Sequence, residues 1–122
     1  MFVSKEFIQD VGLMCEDYFL YFEELDWVLR GKVKGYKLGY YWKSIVHHKE
    51  GGTIGSSSKG NEKSELADYW FVRNRLFFTK KFYHKFLWLV YVSFVGVIFN
   101  RIIRFQFDRI SMILKIILNY EK

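Results

Sequence analysis

The chain of 122 residues contains no proline and a single cysteine, Cys15. One cysteine excludes an internal disulfide framework and fits a reducing compartment. Long apolar runs are also lacking, because the longest uncharged stretch, residues 86–100, is shorter than the ~20 residues that span a bilayer. The N-terminus has early charges and no long apolar core, unlike a secretory signal. By length the chain is one domain or a piece of a larger one.

The composition is that of a folded protein with an uneven charge. Hydrophobic residues make up 51% and aromatic residues 21% of the chain, which excludes a disordered or low-complexity segment. Residues 1–72 have 9 basic and 11 acidic side chains, whereas residues 73–122 have 10 and 2. The basic second part favours anionic partners such as lipid headgroups or phosphates. Nucleic acid is disfavoured, since the cations alternate with large aliphatic side chains rather than exposed aromatic and polar readout residues.

Helix signals open the chain. Ser4 is a suitable N-cap and Gly12 a suitable stop, which predicts a short helix between them. A second helical period begins at Glu23, and the opposite charges of Asp26 and Arg30 are spaced i,i+4 on it. The segment between these helices, "YFLYF", has the aromatic density of a buried strand.

Further along, "YKLGYYW" and "SIVHH" predict two short extended segments. A loop rich in Gly, Ser and charge follows, and Ser64 can then cap another helix. The chain is therefore expected to alternate helix and strand to about residue 48 and to be mostly helical after residue 64.

The last forty residues predict a basic, amphipathic helical tail, residues 83–122. Apolar positions recur at spacings of 3 and 4 beside a polar stripe, which consists of Arg101, Arg104, Asp108, Ser111 and Lys115. With the apolar run before it, this pattern favours a helical pair lying in a membrane interface. A helical hairpin packed on a partner domain is the main alternative, and a single spanning helix bent around Asn100 is a third.

Several motifs also occur in a definite order. The block "DYFLYFEELDWVLR" precedes a "GY", a histidine before glycines in "HHKEGGTIGSSS", and "RN" within "LADYWFVRNRLFFTKKF". Together they resemble the C-terminal half of bacterial family-2 glycosyltransferases, the group that includes rhamnosyltransferases. The resemblance covers residues 1–82 and implies an α/β class: the acceptor-side portion of a GT-A (nucleotide-diphospho-sugar transferase) fold, with few short strands followed by amphipathic helices.

The acids Glu23, Glu24 and Asp26 have two compatible interpretations. Acidic first turns are common because carboxylates complement the helix dipole, so the residues alone favour a structural role. The resemblance implies instead that they form the acidic motif of an inverting sugar transfer. Its general base takes the proton of the acceptor hydroxyl as that oxygen attacks the anomeric carbon. Glu24 occupies the usual position of the base, and the choice between Glu24 and Glu23 stays open.

The other implied site residues concern phosphate and metal. A histidine after a strand is usually structural, but the resemblance selects His48 as lying near a divalent cation, Mg²⁺ or Mn²⁺, and the diphosphate. Residues 49–58 match a loop that would close over donor and acceptor. Arg73 and Asn74 match the "RN" motif, which implies contact with a diphosphate of the nucleotide or of a lipid-linked acceptor. A basic helix that only faces solvent is an equal alternative for Arg73.

The Asp-x-Asp motif that holds the cation in this family does not occur in the chain. The sequence therefore predicts part of an enzyme that moves a hexose or deoxyhexose from a nucleotide-sugar to a cell-surface polysaccharide or lipid-linked acceptor. It is expected to be cytoplasmic, peripheral on the inner face of the cell membrane, and inactive without the nucleotide-binding half. The alternative is a non-catalytic truncated remnant that acts only as a membrane-interface or interaction module.

Overall fold

A computed structural model describes residues 1–47 and 64–119 of the chain. The chain divides into two compact units, Met1–Lys49 and Glu50–Lys122. Within the described ranges all regular structure is helical and no strand is present, so the predicted α/β GT-A class is wrong. The α-helices are α1 (Lys5–Val11), α2 (Glu23–Val33), α3 (Glu65–Phe82), α4 (Leu87–Ile103) and α5 (Phe107–Asn119).

The caps of the first unit follow from its sequence. The hydroxyl oxygen of Ser4 accepts a hydrogen bond from the backbone N–H of Phe7 at 3.1 Å, which confirms the predicted start of α1. Gly12 ends α1 with a φ angle of 82°, a conformation that glycine adopts without steric cost. Gly35, with a φ angle of 87°, lies just beyond α2 and donates to the carbonyl of Lys32 at 3.0 Å.

Two side chains of α2, together with that of Lys34 directly after it, close the C-terminal end of α1. Trp27 Nε1 donates to the carbonyl of Gly12 at 2.8 Å, and Lys34 Nζ donates to the carbonyl of Asp10 at 2.6 Å. Arg30 donates to the carbonyl of Val11 at 2.6 Å, between these two contacts. Spacings of 3 and 4 place the three donors on one face of α2, and two of them bring positive charge to the negative end of the α1 dipole. The two helices are thereby joined as one unit.

The segments predicted as strands have irregular backbone. "YFLYF" begins in a 3₁₀ turn, Glu16–Tyr18, and continues through bends in which three bulky aromatic residues have positive φ angles. "YKLGYYW" and the described part of "SIVHH" form no strand either. A strand exists only when a neighbour receives its hydrogen bonds, and aromatic density reports a fit to a packed surface rather than the presence of that neighbour.

The second unit packs three helices around one apolar core. The hydroxyl oxygen of Ser64 accepts from the backbone N–H of Ala67 at 3.2 Å, so α3 begins at the predicted cap. A 3₁₀ turn, His84–Phe86, joins α3 to α4. The buried core draws on all three helices and consists of Val72, Leu76, Val90, Phe94, Ile113 and Ile116.

The polar stripe predicted from Arg101 to Lys115 is divided between two helices. α4 ends at Ile103, the backbone turns through Phe105 with a φ angle of 55°, and α5 begins at Phe107. The spacing of the polar side chains continues across this break, because the turn inserts only three residues between the helices. The tail is therefore a helical pair with its turn at residues 104–106, four residues later than the uncharged run ends.

The surface of α4 remains largely apolar and exposed. Within the described parts of the chain, one stretch, His84–Ile103, is long and apolar enough to cross a membrane by length and composition, and only 11% of it is buried. The core helix of a soluble protein meets the same criterion but is mostly buried. The exposed large side chains of α4 are Trp88, Leu89, Val92, Val95, Phe99, Ile102 and Ile103.

Gly31 provides a test of the packing in the first unit. A Cβ atom at this position in α2 would overlap the ring of Phe7, so the close approach of α1 requires glycine. We expect Gly31→Ala to lower the free energy of unfolding by about 1–3 kcal/mol, although alanine is the better helix former. Hydrogen exchange of α2 amides would measure the loss.

Gly96→Ala is the matched control, because a Cβ atom on that helical residue of α4 would meet nothing within 4 Å. There the helix propensity of alanine should act alone and raise stability by up to ~1 kcal/mol. Equal behaviour of the two variants would contradict the packing role of Gly31.

Candidate functional site

The predicted acids occupy the first turn of α2, which begins from an unusual backbone. Phe22 is the N-cap residue, in the left-handed region with a φ angle of 74°, and no side chain caps this end. Phe19 and Tyr21 precede it with φ angles of 56° and 65°. Bulky residues in this region cost roughly 1–3 kcal/mol each, and such strain concentrates at functional sites. This left-handed backbone conformation sets the direction of the first turn of α2, which contains the three acids.

Asp26 fixes that turn from inside the unit. Its carboxylate is fully buried, accepts the hydroxyl of Tyr18 at 3.0 Å and forms an ion pair with Arg30 at 2.6 Å. The pairing of Asp26 with Arg30 is the one that the i,i+4 spacing predicted. Arg30 also donates to the carbonyl of Leu13 at 2.7 Å, so the acid is tied to the end of α1. These bonds hold the carboxylate of Asp26 in one position between α2 and the end of α1.

Glu23 and Glu24 differ in their surroundings, although the sequence left them equivalent. The side chain of Glu24 is exposed to solvent. Glu23 is half-buried, and its Oε2 atom is buried with no hydrogen-bond partner in the described part of the chain. A buried polar atom without a partner costs free energy and is normally absent unless something else uses it. The pair therefore offers one carboxylate in solvent and one partly withdrawn from it, on adjacent residues.

The predicted metal site depends on one histidine, His48. His48 and the predicted loop at residues 49–58 lie outside the described residues. His47, next to it, is exposed. Among residues 1–47 and 64–119 no three His, Cys, Asp or Glu side chains come together as a metal-binding group. The divalent cation stays a prediction for a whole enzyme.

Arg73 and Asn74 lie on α3 in the second unit. The Nη1 atom of Arg73 donates to the side-chain oxygen of Asn74 at 2.8 Å. The guanidinium also lies 5.3 Å from the ring of Trp70 and 5.2 Å from the ring of Phe77. Asn74 is fully buried, whereas Arg73 is half-buried. Rings on either side along the helix hold the guanidinium in one orientation, and their contacts could not be read from the "RN" motif.

An aromatic cavity of about 560 Å³ is present in the first unit, away from the acids. Its lining includes Phe2, Phe7, Tyr36 and Tyr41, but neither Glu23 nor Glu24. Aromatic walls suit the apolar faces of sugar rings. The cavity and the acid pair are thus separate features of this unit.

One cluster in the second unit was missed by sequence reasoning. Asp68 of α3 forms ion pairs with Arg101 at 2.7 Å and with Arg109 at 2.6 Å. The partners are 33 and 41 residues away along the chain, so no local spacing reveals them. The available signal in the sequence was the small number of acids on α3, Glu65 and Asp68, before a strongly basic tail.

Comparison of the chain with known proteins finds no matching family model, no matching curated protein and no matching solved structure. The resemblance to family-2 glycosyltransferases therefore rests on the motifs quoted from the sequence, and it stays a prediction.

The buried network around Asp26 can be tested with Tyr18→Phe. The substitution leaves the ring in place and removes one hydrogen bond to a buried carboxylate, which should cost about 1.5–3 kcal/mol of folding free energy. Urea unfolding followed by tryptophan fluorescence would measure it.

Tyr36→Phe is the matched control, since the hydroxyl of Tyr36 donates to Asp10 at 2.6 Å on the surface. That bond raises the pKa of Tyr36, because the phenolate would lose the bond and face a carboxylate. The hydrogen bond therefore contributes to folding stability below the ordinary tyrosine pKa of about 10. This contribution disappears as the pH rises through the raised pKa of Tyr36. At neutral pH, a smaller loss for Tyr18→Phe than for Tyr36→Phe would contradict the network.

Proposed function

We propose that the chain is the acceptor-side part of an inverting, nucleotide-sugar-dependent glycosyltransferase of family 2. It would transfer a hexose or deoxyhexose to a cell-surface polysaccharide or lipid-linked acceptor. The observation that carries the proposal is the acid pair at the start of α2, where Glu23 has a buried carboxylate oxygen without a partner in the described residues and Glu24 faces solvent. The order of motifs that resembles this family is the second support.

The reaction needs a base and a fixed direction of attack. Glu24 would accept the proton of the acceptor hydroxyl, with Glu23 as the other candidate base. The acceptor oxygen would form its bond to the anomeric carbon as the bond to the nucleoside diphosphate breaks, and the diphosphate would leave with the bonding electrons. Asp26 would hold the base in place through its bonds to Tyr18 and Arg30.

The donor would be held by parts that this chain does not carry. In the whole enzyme a divalent cation, Mg²⁺ or Mn²⁺, would supply positive charge for the diphosphate. His48 would help to hold it, together with an Asp-x-Asp motif from a nucleotide-binding half. Arg73 would contribute a guanidinium toward a diphosphate, since its fork matches phosphate oxygens. The proposed location is the cytoplasmic face of the cell membrane.

The role of the acids can be tested after a nucleotide-binding half of a family-2 transferase is supplied, as a fusion or a second chain. Glu24→Gln keeps the shape of the side chain but cannot take a proton, so transfer should fall by about 10²–10⁴-fold. Glu23→Gln, measured in parallel, identifies the base by the larger fall. The assay is release of nucleoside diphosphate that depends on an added acceptor.

Glu16→Gln is the control, because this exposed acid of the 3₁₀ turn should leave transfer unchanged. The isolated chain should turn over no nucleotide-sugar. Turnover by the isolated chain that Glu24→Gln abolishes would contradict the need for a donor half, and transfer insensitive to both glutamate variants would contradict the role of the acids.

A second candidate function is favoured by the exposed face of α4. A non-catalytic remnant could act only as a membrane-interface module, because the apolar side chains of this helix are left in water and the second unit is strongly basic. The same property would serve the transferase by holding it at the bilayer. In this proposal the membrane contact would be made by α4, whereas the candidate base lies in the first unit.

Membrane binding can be tested by flotation with vesicles containing phosphatidylglycerol. Replacing Val92, Val95 and Phe99 by serine removes three exposed apolar side chains of α4, and vesicle binding should fall at least tenfold. The control replaces Leu38, Tyr40 and Ile45 by serine, which removes three exposed apolar side chains of the first unit. Equal losses in the two triple variants would contradict an interface on α4.

A further inference from the structure

A second cavity, of about 230 Å³, lies among α3, α4 and α5. It is smaller than the roughly 300–1,000 Å³ of pockets for drug-sized ligands, so it suits a small group rather than a whole nucleotide-sugar. The polar side chains of its lining are Asp68, Arg75, Asn100, Arg101 and Arg104. Three of these five are arginines, and they come from two different helices and the turn that follows α4.

Asp68, the one acid in the lining of this cavity, already forms ion pairs. The Oδ2 atom of Asp68 accepts from Arg101 at 2.7 Å and from Arg109 at 2.6 Å. All three side chains are largely buried, with exposures of 7% for the acid and 16% and 14% for the arginines. One carboxylate balances one of these two guanidinium charges, and a positive charge withdrawn from water requires a counter-charge.

The two remaining arginines add to this excess. Arg75 and Arg104 form no ion pair with an acid in the described part of the chain. Arg75 is half-buried, with its guanidinium 5.8 Å from the ring of Phe94 in the wall of the cavity. Arg104 is exposed and follows the last turn of α4, where it also complements the helix dipole. Three guanidinium groups thus line this cavity with a single carboxylate, and that carboxylate also pairs with a fourth arginine, Arg109.

We propose that this cavity binds a phosphate group. Guanidinium forks match phosphate oxygens bidentately, and a phosphate would supply the counter-charge that Asp68 cannot. The rest of the lining is apolar, with Phe71, Val97 and Ile113, so a phosphate ester with an apolar substituent fits as well as a free phosphate. The site rests only on the geometry of the second unit and does not depend on the proposed sugar transfer.

The first arm of the test uses free anions. The full chain is titrated with inorganic phosphate and with pyrophosphate, against sodium chloride of equal ionic strength, while amide resonances of α3 and α4 are followed. The double variant Arg75→Gln, Arg104→Gln should weaken phosphate binding by at least tenfold, because each charged hydrogen bond lost costs about that factor. Asp68 and Arg101 are left unchanged, so the ion pairs between the helices are preserved.

The second arm uses vesicles of phosphatidylcholine with and without phosphatidylglycerol. The matched control is Lys85→Gln, Lys115→Gln, which removes the same charge at two exposed positions outside the cavity. Phosphate binding lost in the arginine variant and kept in the lysine variant supports the site with a free phosphate as ligand. The same pattern seen only with phosphatidylglycerol vesicles supports it with a lipid phosphate. Equal weakening in both variants, or no binding of either probe, overturns the site.

Discussion

The first unit depends on the guanidinium group of Arg30. It joins the buried carboxylate of Asp26 to the backbone carbonyls of Val11 and Leu13, and so adds charged hydrogen bonds to the apolar contact of the two helices. A small unit cannot bury enough apolar surface to be stable on that term alone. Charged hydrogen bonds, each about twice as strong as neutral ones, take over part of that role. The acids of the candidate site are therefore positioned by the same group that holds the unit together.

Local interactions were predictable from the sequence and long-range ones were not. The caps at Ser4 and Ser64 and the pair of Asp26 with Arg30 depend on residues three or four positions apart, and all three were confirmed. The strand predicted at "YFLYF" was wrong, because strand formation depends on a neighbour that no local pattern supplies. The positive φ angles in that segment also lack a sequence signal, since aromatic residues rarely adopt them.

In the candidate site, too, the sequence predicted local features but not those that depend on three-dimensional neighbours. The sequence predicted Glu23 and Glu24 as candidate bases and left the choice between them open, because their difference is one of burial. For Arg73 a phosphate contact and a solvent-facing role were equal predictions, and the aromatic rings on either side of it follow only from the helix. The ion pairs of Asp68 were missed altogether, since they join α3 to residues on two later helices. Roles that need three-dimensional neighbours were thus the ones left undetermined.

The shared carboxylate of Asp68 has a mechanical consequence for the second unit. Because Arg101 lies on α4 and Arg109 on α5, separating either helix from α3 would leave a mostly buried charge without its partner. These ion pairs hold α4 and α5 against α3. While they persist, α4 cannot separate from the other two helices to cross a bilayer. Contact with a lipid surface would have to be made by the outer face of α4 as it stands, with the bundle docking as a preassembled body.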